Sequence, residues 1–196
     1  MRPSYCCSFD VELPVECDDQ YWVISSSGVE FKQPPDIPSK IQAFNFQIKL
    51  CQILVQARVL YHCPKPKHSK DKSTRQSESK IVSDLDSQLN SWLDSIPHHC
   101  KTILFCIPVE VTMLVQWDPN REHPIFGTQA AVLHAYHDVA QILVHRPFIQ
   151  KRSALSYSAV AICANAARSC INVIERQATV YTFVPQTMAC QLLFPW

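Results

Sequence analysis

The stretch SKIQAFNFQIKLCQILVQARVLYH at residues 39–62 decides the fold class. Its apolar residues recur at spacings of three and four, which is the period of an α-helix. One stripe comprises Ile41, Phe44, Ile48, Cys51 and Val55, and a neighbouring stripe comprises Leu50, Leu54, Ala57 and Tyr61. Two adjacent stripes predict a helix that is buried on much of its circumference. Ser39 is placed to cap the first turn, and Pro64 ends the run.

Three further segments have the same helical period. Residues 81–96 form one apolar face and stop at Pro97, and residues 126–146 end at Arg146, where Pro147 is expected to stop the helix. Residues 155–177 form a face of small side chains, which allows two helices to approach closely. That face comprises Ala159, Cys163, Ala166, Cys170 and Val173. The sequence therefore predicts an all-α, irregular multi-helix domain.

The segments between these helices differ in character. Residues 1–38 contain five prolines and predict an irregular, partly extended N-terminal arm. Within it, Asp18 and Asp19 are expected to cap a short turn whose aromatic residues dock inward. Residues 64–80 carry six Lys/Arg and two Asp/Glu, a net charge of +4, and are interpreted as a solvated linker rather than a nuclear-import or nucleic-acid patch. Residues 100–116 are apolar and β-branched and, taken alone, predict a buried strand.

Composition excludes several classes of protein. The 196 residues suggest one domain, and a net charge of +1 is too small for a protein that wraps nucleic acid. The chain has 2 glycines, against about fourteen in an average chain of this length. Phosphate-cradling loops need several closely spaced glycines, so the composition argues against nucleotide-binding α/β enzymes.

The ten cysteines include no C-x-x-C pair, which zinc sites commonly use. The N-terminus lacks the apolar core of a signal peptide, so we expect reduced thiols that pack as small hydrophobic side chains. The longest apolar run, residues 103–115, is shorter than the about 20 residues of a membrane span.

The strongest candidates for chemistry lie on the third helix, where His134, Asp138 and His145 share a face and His137 lies one turn from His134. A metal could use two such ligands, but the H-E-x-x-H arrangement is missing, and we interpret the set as a polar helix face. No local signature selects a Cys–His nucleophilic pair, and His98, His99 and Cys100 are interpreted as a loop feature. Asp18 and Asp19 adjoin and cannot face each other across a substrate. We therefore predict no catalytic, cofactor-binding, metal-binding or DNA-binding residue.

Six segments, in order, resemble the fungal-specific transcription factor domain. This is the middle homology region of zinc binuclear cluster (Zn2Cys6) regulators, which includes xylanolytic-activator-like regulatory domains. The similar segments are Arg2-Pro3, FDVELPVECDDQYW at 9–22, FKQPPDIPS at 31–39 leading to Leu60-Tyr61, LDSQLNSWLDSIP at 85–97, WDPNRE at 117–122 with HRPFI at 145–149, and AICANAARSC at 161–170. The motif residues are Arg2, Pro3, Leu13, Pro14, Asp18, Asp19, Trp22, Trp92, Pro97, Trp117, His145, Arg146, Pro147, Cys163, Ala166 and Ala167.

The resemblance implies a regulatory, non-enzymatic, all-α domain in the nucleus that does not itself contact DNA. In that family DNA is read by an N-terminal zinc cluster with C-x2-C-x6-C twice, and this chain lacks that pattern. Zinc and DNA are therefore assigned to none of its residues. We expect other proteins or the remainder of the domain to contact the chain, and we expect no membrane contact. A homodimer is compatible with the family.

The chain departs from the family pattern in three respects. It is expected to be a fragment that begins mid-domain and ends short of the family's usual length, so the apolar stripes of residues 41–61 and 159–174 should be only partly covered. Residues 100–116 intervene where the family passes almost directly to W-D-P-N, and we hypothesise that they derive from a retained intron or a gene-model error. The alternatives are a stand-alone helical adaptor or ligand-binding protein, and then a helical enzyme with a Cys/His site.

Overall fold

The computed structural model describes residues 11–26, 28–62, 72–100, 124–150 and 155–181. Helices account for 76% of the described residues, and the one sheet among them has two strands, which confirms the all-α class. The α-helices are α1 (Ile41–His62), α2 (Lys72–Ser95), α3 (Pro124–Ile149) and α4 (Leu155–Tyr181). The chain divides into two compact units, residues 1–45 and residues 46–196, and α1 begins in the first and continues in the second.

The first unit contains a β-hairpin that the sequence pattern did not predict. Strands β1 (Trp22–Ser25) and β2 (Gly28–Phe31) pair antiparallel, with Trp22 opposite Phe31 and Ser25 opposite Gly28. Gly28 has φ +126°, a backbone conformation that side-chain-bearing residues rarely adopt. The arm is extended, as predicted, but two segments of it, Trp22–Ser25 and Gly28–Phe31, are regular β-strands.

Asp18 fastens the arm to the start of α1. Its Oδ1 accepts hydrogen bonds from the Ser39 hydroxyl at 3.1 Å and from the Lys40 N–H at 2.8 Å. The predicted turn exists as a 3-10 helix, Asp19–Tyr21, but the Asp18 side chain does not cap it. The predicted inward docking of the aromatic residues is wrong for Trp22, which is 51% exposed. The predicted cap at Ser39 is confirmed, because its Oγ accepts the Ile41 N–H at 3.1 Å.

Replacing Asp18 by alanine should loosen the first turn of α1. The buried carboxylate accepts two hydrogen bonds there, so its loss should cost about 1–3 kcal/mol locally. Hydrogen exchange of the Lys40 amide should then accelerate by about 5- to 150-fold, since 1.4 kcal/mol corresponds to a factor of ten. Asp19→Ala, at an exposed neighbouring carboxylate, is the matched control and should leave the exchange unchanged. Equal acceleration in both variants would show that Asp18 has no particular role.

The buried face of α1 differs from the predicted one. In the second unit α1 buries Phe46, Leu50, Ile53 and Ala57, whereas Val55 of the first predicted stripe is exposed. Among the described side chains of the second unit only this side of α1 is buried, so the prediction that α1 is buried on much of its circumference is wrong there. The expectation that the apolar stripes of α1 are only partly covered is confirmed at Phe44, Cys51 and Val55, which are exposed.

Helix α2 begins at Lys72, nine residues before the predicted start. The interpretation of residues 64–80 as a linker is therefore wrong for residues 72–80, while residues 64–71 lie outside the described part. Residues 72–80 contain no glycine or proline, and Lys, Arg, Gln and Glu favour helix, so a polar composition did not prevent the helix from extending. The predicted stop is confirmed, since α2 ends at Ser95, two residues before Pro97.

Helices α3 and α4 make the most extensive contact between any two described elements. The predicted small-residue face of α4 is buried at Ala159, Ala166, Cys170 and Val173, and Cys163 is half-buried. Cys170 packs with Ala135 of α3. Small side chains on both helices allow this close approach.

Both helices are longer than predicted, because α4 continues to Tyr181 and α3 runs through Pro147 to Ile149. The prediction that Pro147 stops α3 is wrong. Proline removes one intrahelical hydrogen bond and its ring crowds the carbonyl four residues earlier, yet α3 continues for two residues beyond it.

Residues 101–116 of the atypical insert lie outside the described part. Its first residue, Cys100, is buried at the end of a 3-10 helix, His98–Cys100, so this site is a regular turn and not the loop that was predicted. None of the described helices is long and apolar enough to cross a membrane.

Candidate functional site

A group of polar side chains is buried in the second unit, on the side of α3 that faces α2 and α4. His134 is 8% exposed, His137 is 4% exposed and Asp138 is 3% exposed. The prediction that these residues form a polar helix face is therefore wrong. Periodicity shows which residues share a side of a helix, but it does not show whether water or other helices cover that side.

His134, Ser169 and Asp138 form a hydrogen-bonded chain between α3 and α4. The Nε2 atom of His134 lies 3.0 Å from the Ser169 hydroxyl and 3.7 Å from Asp138 Oδ2. The Ser169 side chain also hydrogen-bonds Asp138. A hydroxyl group donates one hydrogen bond and accepts others, so this chain can run in either direction. An ionised Asp138 can accept from Ser169, and a protonated Asp138 can donate to it.

His137 occupies the same buried region. Its ring stacks on Trp92 of α2, with centroids 5.8 Å apart and planes at 7°, and lies 6.4 Å from the His134 ring. Within the part of the chain that the structure describes, neither ring nitrogen of His137 has a hydrogen-bond partner. An imidazole always carries at least one N–H, so burying it in this way costs about 1–3 kcal/mol. Packing therefore holds His137 in place. An apolar ring of the same shape at this position would make the fold more stable.

Burial sets the protonation states of this group. It lowers the pKa of His137 to about 4 and that of His134 to about 4, with a smaller effect of the neighbouring His137 charge on His134. Burial also raises the pKa of Asp138 to about 7, against the opposing effect of the hydrogen bond from Ser169. Burial and the nearby Asp138 charge raise the pKa of Cys170 to about 11. Both imidazoles are therefore neutral at pH 7, and the Cys170 thiol keeps its proton.

This geometry does not match a catalytic triad. In a triad a carboxylate orients the histidine through one ring nitrogen while the other nitrogen meets the nucleophile. Here Ser169 and Asp138 both lie at Nε2 of His134, and no described residue hydrogen-bonds its Nδ1. Among the described residues, moreover, no group of three His, Cys, Asp or Glu side chains is placed to hold a metal ion. The arrangement connects α3 to α4 through His134 and Ser169.

A second polar contact joins α2 to α3 at the HRPF motif. His145 is buried, and its Nε2 lies 2.9 Å from Asp86 Oδ1. Arg146 is exposed, whereas Phe148 is almost completely buried. The motif therefore contributes a buried imidazole and a buried aromatic ring to the core, and it leaves its guanidinium in water.

The other described motif residues lie in both units. In the first unit, Pro14 is exposed and its carbonyl accepts a hydrogen bond from Asn45 at 2.9 Å, while Asp19 and Leu13 are exposed. In the second unit, Pro97 and Ala167 are partly buried. Arg2, Pro3 and Trp117 lie outside the described residues.

An open groove with a volume of about 410 Å³ lies beside the buried group and was not predicted. Its lining comprises Lys49, Ile53, Ser87, Gln88, Ser91, Trp92 and Ser95. The lining thus combines one cation, an indole ring and several neutral polar groups, without a carboxylate. Lys49 Nζ lies 4.8 Å from the centroid of the Phe46 ring, which gives the ammonium an aromatic partner. Serines on one side of an amphipathic helix are ordinary surface residues, so their spacing does not predict a groove.

Comparison of the chain with protein-family models, with curated proteins and with solved structures found no match.

Proposed function

We propose that this chain is part of the regulatory domain of a fungal Zn2Cys6-type transcription regulator, and that it regulates transcription without catalysing a reaction. The observation that carries the proposal is the order of six sequence segments that resemble that domain, from Arg2-Pro3 to residues 161–170. A single such segment would be weak support. Six segments in one order are much less probable by chance.

The positions of the motif side chains support a structural role for them. Asp18 fastens the arm to α1, Trp92 lies in the core of the second unit, and His145 joins α2 to α3. A regulatory module acts by presenting surfaces to other molecules, so it needs residues that hold its fold together.

In this proposal the protein acts in the nucleus and contacts other proteins. DNA would be read by a zinc cluster that has C-x2-C-x6-C twice, and the ten cysteines of this chain contain no C-x-x-C pair. We therefore assign neither zinc nor DNA to any residue here.

A tethering experiment tests the proposed function. The full chain is fused to a heterologous DNA-binding domain in a fungal cell, and transcription of a reporter with the matching binding sites is measured. We expect reporter output to differ from that of the DNA-binding domain alone. Trp92→Ala should abolish the difference because it disrupts the core, whereas Tyr157→Ala, at a side chain that is 90% exposed, should preserve it. A nuclear, stably expressed fusion that leaves reporter output unchanged would contradict the proposal.

A further inference from the structure

The β-hairpin of the first unit has one entirely apolar face. Trp22 pairs with Phe31 and Ile24 pairs with Val29, and side chains of paired residues lie on the same side of a sheet. All four side chains are exposed, most strongly Ile24 at 85%. The opposite side carries Val23 and Glu30, with Glu30 in an ion pair with Lys32. We refer to Trp22, Ile24, Val29 and Phe31 as the hairpin face.

The hairpin face is presented by an ordered scaffold. Trp22 and Phe31 pack edge to face with ring centroids 5.4 Å apart, and the Trp22 indole N–H donates to the Cys17 carbonyl at 3.4 Å. Gln33 accepts the Asp18 N–H at 2.9 Å and donates to the Ile37 carbonyl at 2.8 Å. A two-stranded hairpin is only marginally stable alone, so these bonds hold the strands in place without covering their apolar side.

The charge of this unit indicates what could cover the face. Residues 11–45 contain six Asp/Glu and two Lys, a net charge of −4. Both lysines already have a carboxylate partner, Glu30 for Lys32 and Asp18 for Lys40. Exposed carboxylates remain at Glu12, Glu16, Asp19 and Asp36.

We propose that the hairpin face docks a basic amphipathic segment of another protein, with aliphatic side chains against the apolar residues and Lys or Arg complementing the net negative charge of this unit. Such a partner removes the exposed apolar patch from water and complements the negative charge. A second copy of this unit would bring two charges of −4 together, and an anionic membrane surface would repel the unit in the same way. This proposal does not depend on the transcriptional function.

The test measures binding of fluorescein-labelled model peptides to the full chain by fluorescence anisotropy. One peptide is an amphipathic helix of Leu and Lys, and the other has the same spacing with Glu in place of Lys. We expect the Leu/Lys peptide to bind at least about tenfold more tightly, and added NaCl to weaken its binding. The double variant Ile24→Ser/Val29→Ser should weaken it at least about tenfold through lost apolar burial. Val23→Ser, on the opposite side of the same strand, is the matched control and should change it by less than about twofold.

Equal binding of the two peptides would overturn the proposal, and so would Leu/Lys binding that the double variant leaves unchanged. It would also be overturned if the chain self-associates, or sediments with phosphatidylserine vesicles, and the double variant abolishes that behaviour. Circular dichroism should confirm that the double variant is folded. The single variant Ile24→Ser, at the most exposed residue of the face, repeats the test if the double variant does not fold.

Discussion

Trp92→Ala is expected to destabilise the second unit by about 3–5 kcal/mol, a large fraction of the stability of an ordinary domain. The indole ring is buried, meets Phe46 edge to face at a centroid distance of 6.4 Å, and stacks on His137. Its N–H also donates to the Phe46 carbonyl at 2.9 Å. Alanine removes these contacts together and leaves a cavity between α1, α2 and α3. Denaturant unfolding of the full chain, followed by circular dichroism, measures the loss.

Two companion variants identify the cause of that loss. Trp92→Phe keeps a ring for packing but removes the hydrogen bond to Phe46, so it should cost less, about 1–3 kcal/mol. Tyr157→Ala removes an exposed aromatic ring and should change the stability by less than about 0.5 kcal/mol. A Trp92→Ala protein within about 1 kcal/mol of the wild type would show that the ring is not a core residue.

The stability of the second unit should fall as the pH decreases from 6.5 to about 4. In this range the unfolded chain protonates His134 and His137, whereas both have a pKa of about 4 in the fold. Asp138 acts in the opposite direction, because its raised pKa of about 7 lets the fold keep a proton that the unfolded carboxyl loses above pH 3.8. On unfolding, the two histidines together take up two protons and Asp138 releases one, so the net uptake is one proton. These groups together should therefore contribute a slope of about 1.4 kcal/mol per pH unit, with greatest stability near pH 6.5.

His137→Phe isolates the contribution of one of the two imidazoles to this effect. Phenylalanine can keep the stack on Trp92 and removes two buried nitrogens without hydrogen-bond partners, so at pH 7 the variant should be at least as stable as the wild type. Relative to the wild type, it should gain about 1.4 kcal/mol for each pH unit from 6.5 down to 4. His134→Phe is the matched comparison: it should also reduce the pH dependence, but it breaks the contact with Ser169 and should lose stability at pH 7. A wild type and a His137→Phe variant with parallel pH profiles would contradict the assigned burial.

The sequence predicted the helices well where apolar spacing was strong, and less well at their ends. Leu85, Leu89 and Trp92 gave the face of α2 correctly, but no apolar residue marks its first turns, so the extension from Lys72 depended on helix propensity alone. The hairpin was missed because prolines on both sides of it suggested irregular structure. Its signal was Ser-Ser-Ser-Gly at residues 25–28 between two short β-branched and aromatic runs.

The buried imidazoles show what spacing cannot predict. The positions of His134, His137 and Asp138 on α3 were correct, but their surroundings depend on Trp92 and Ser169, which lie 31 or more positions away in the sequence. A polar residue on a helix faces water in most proteins, and this tendency predicted a solvent-facing position for three residues that are in fact buried. The same long-range packing brings Lys49 of α1 beside the serines of α2 in the groove.

The central claim is that the polar residues of α3, His134, His137 and Asp138, belong to the core of the second unit and do not face solvent. NMR titration of the imidazole resonances in the full chain, assigned with His134→Phe and His137→Phe, tests it most directly. We expect the resonances of His134 and His137 to remain those of neutral rings from pH 8 down to pH 5, since burial holds each pKa near about 4. If both rings instead titrate with midpoints near 6.5, as histidines in water do, the imidazoles are accessible and the claim is wrong.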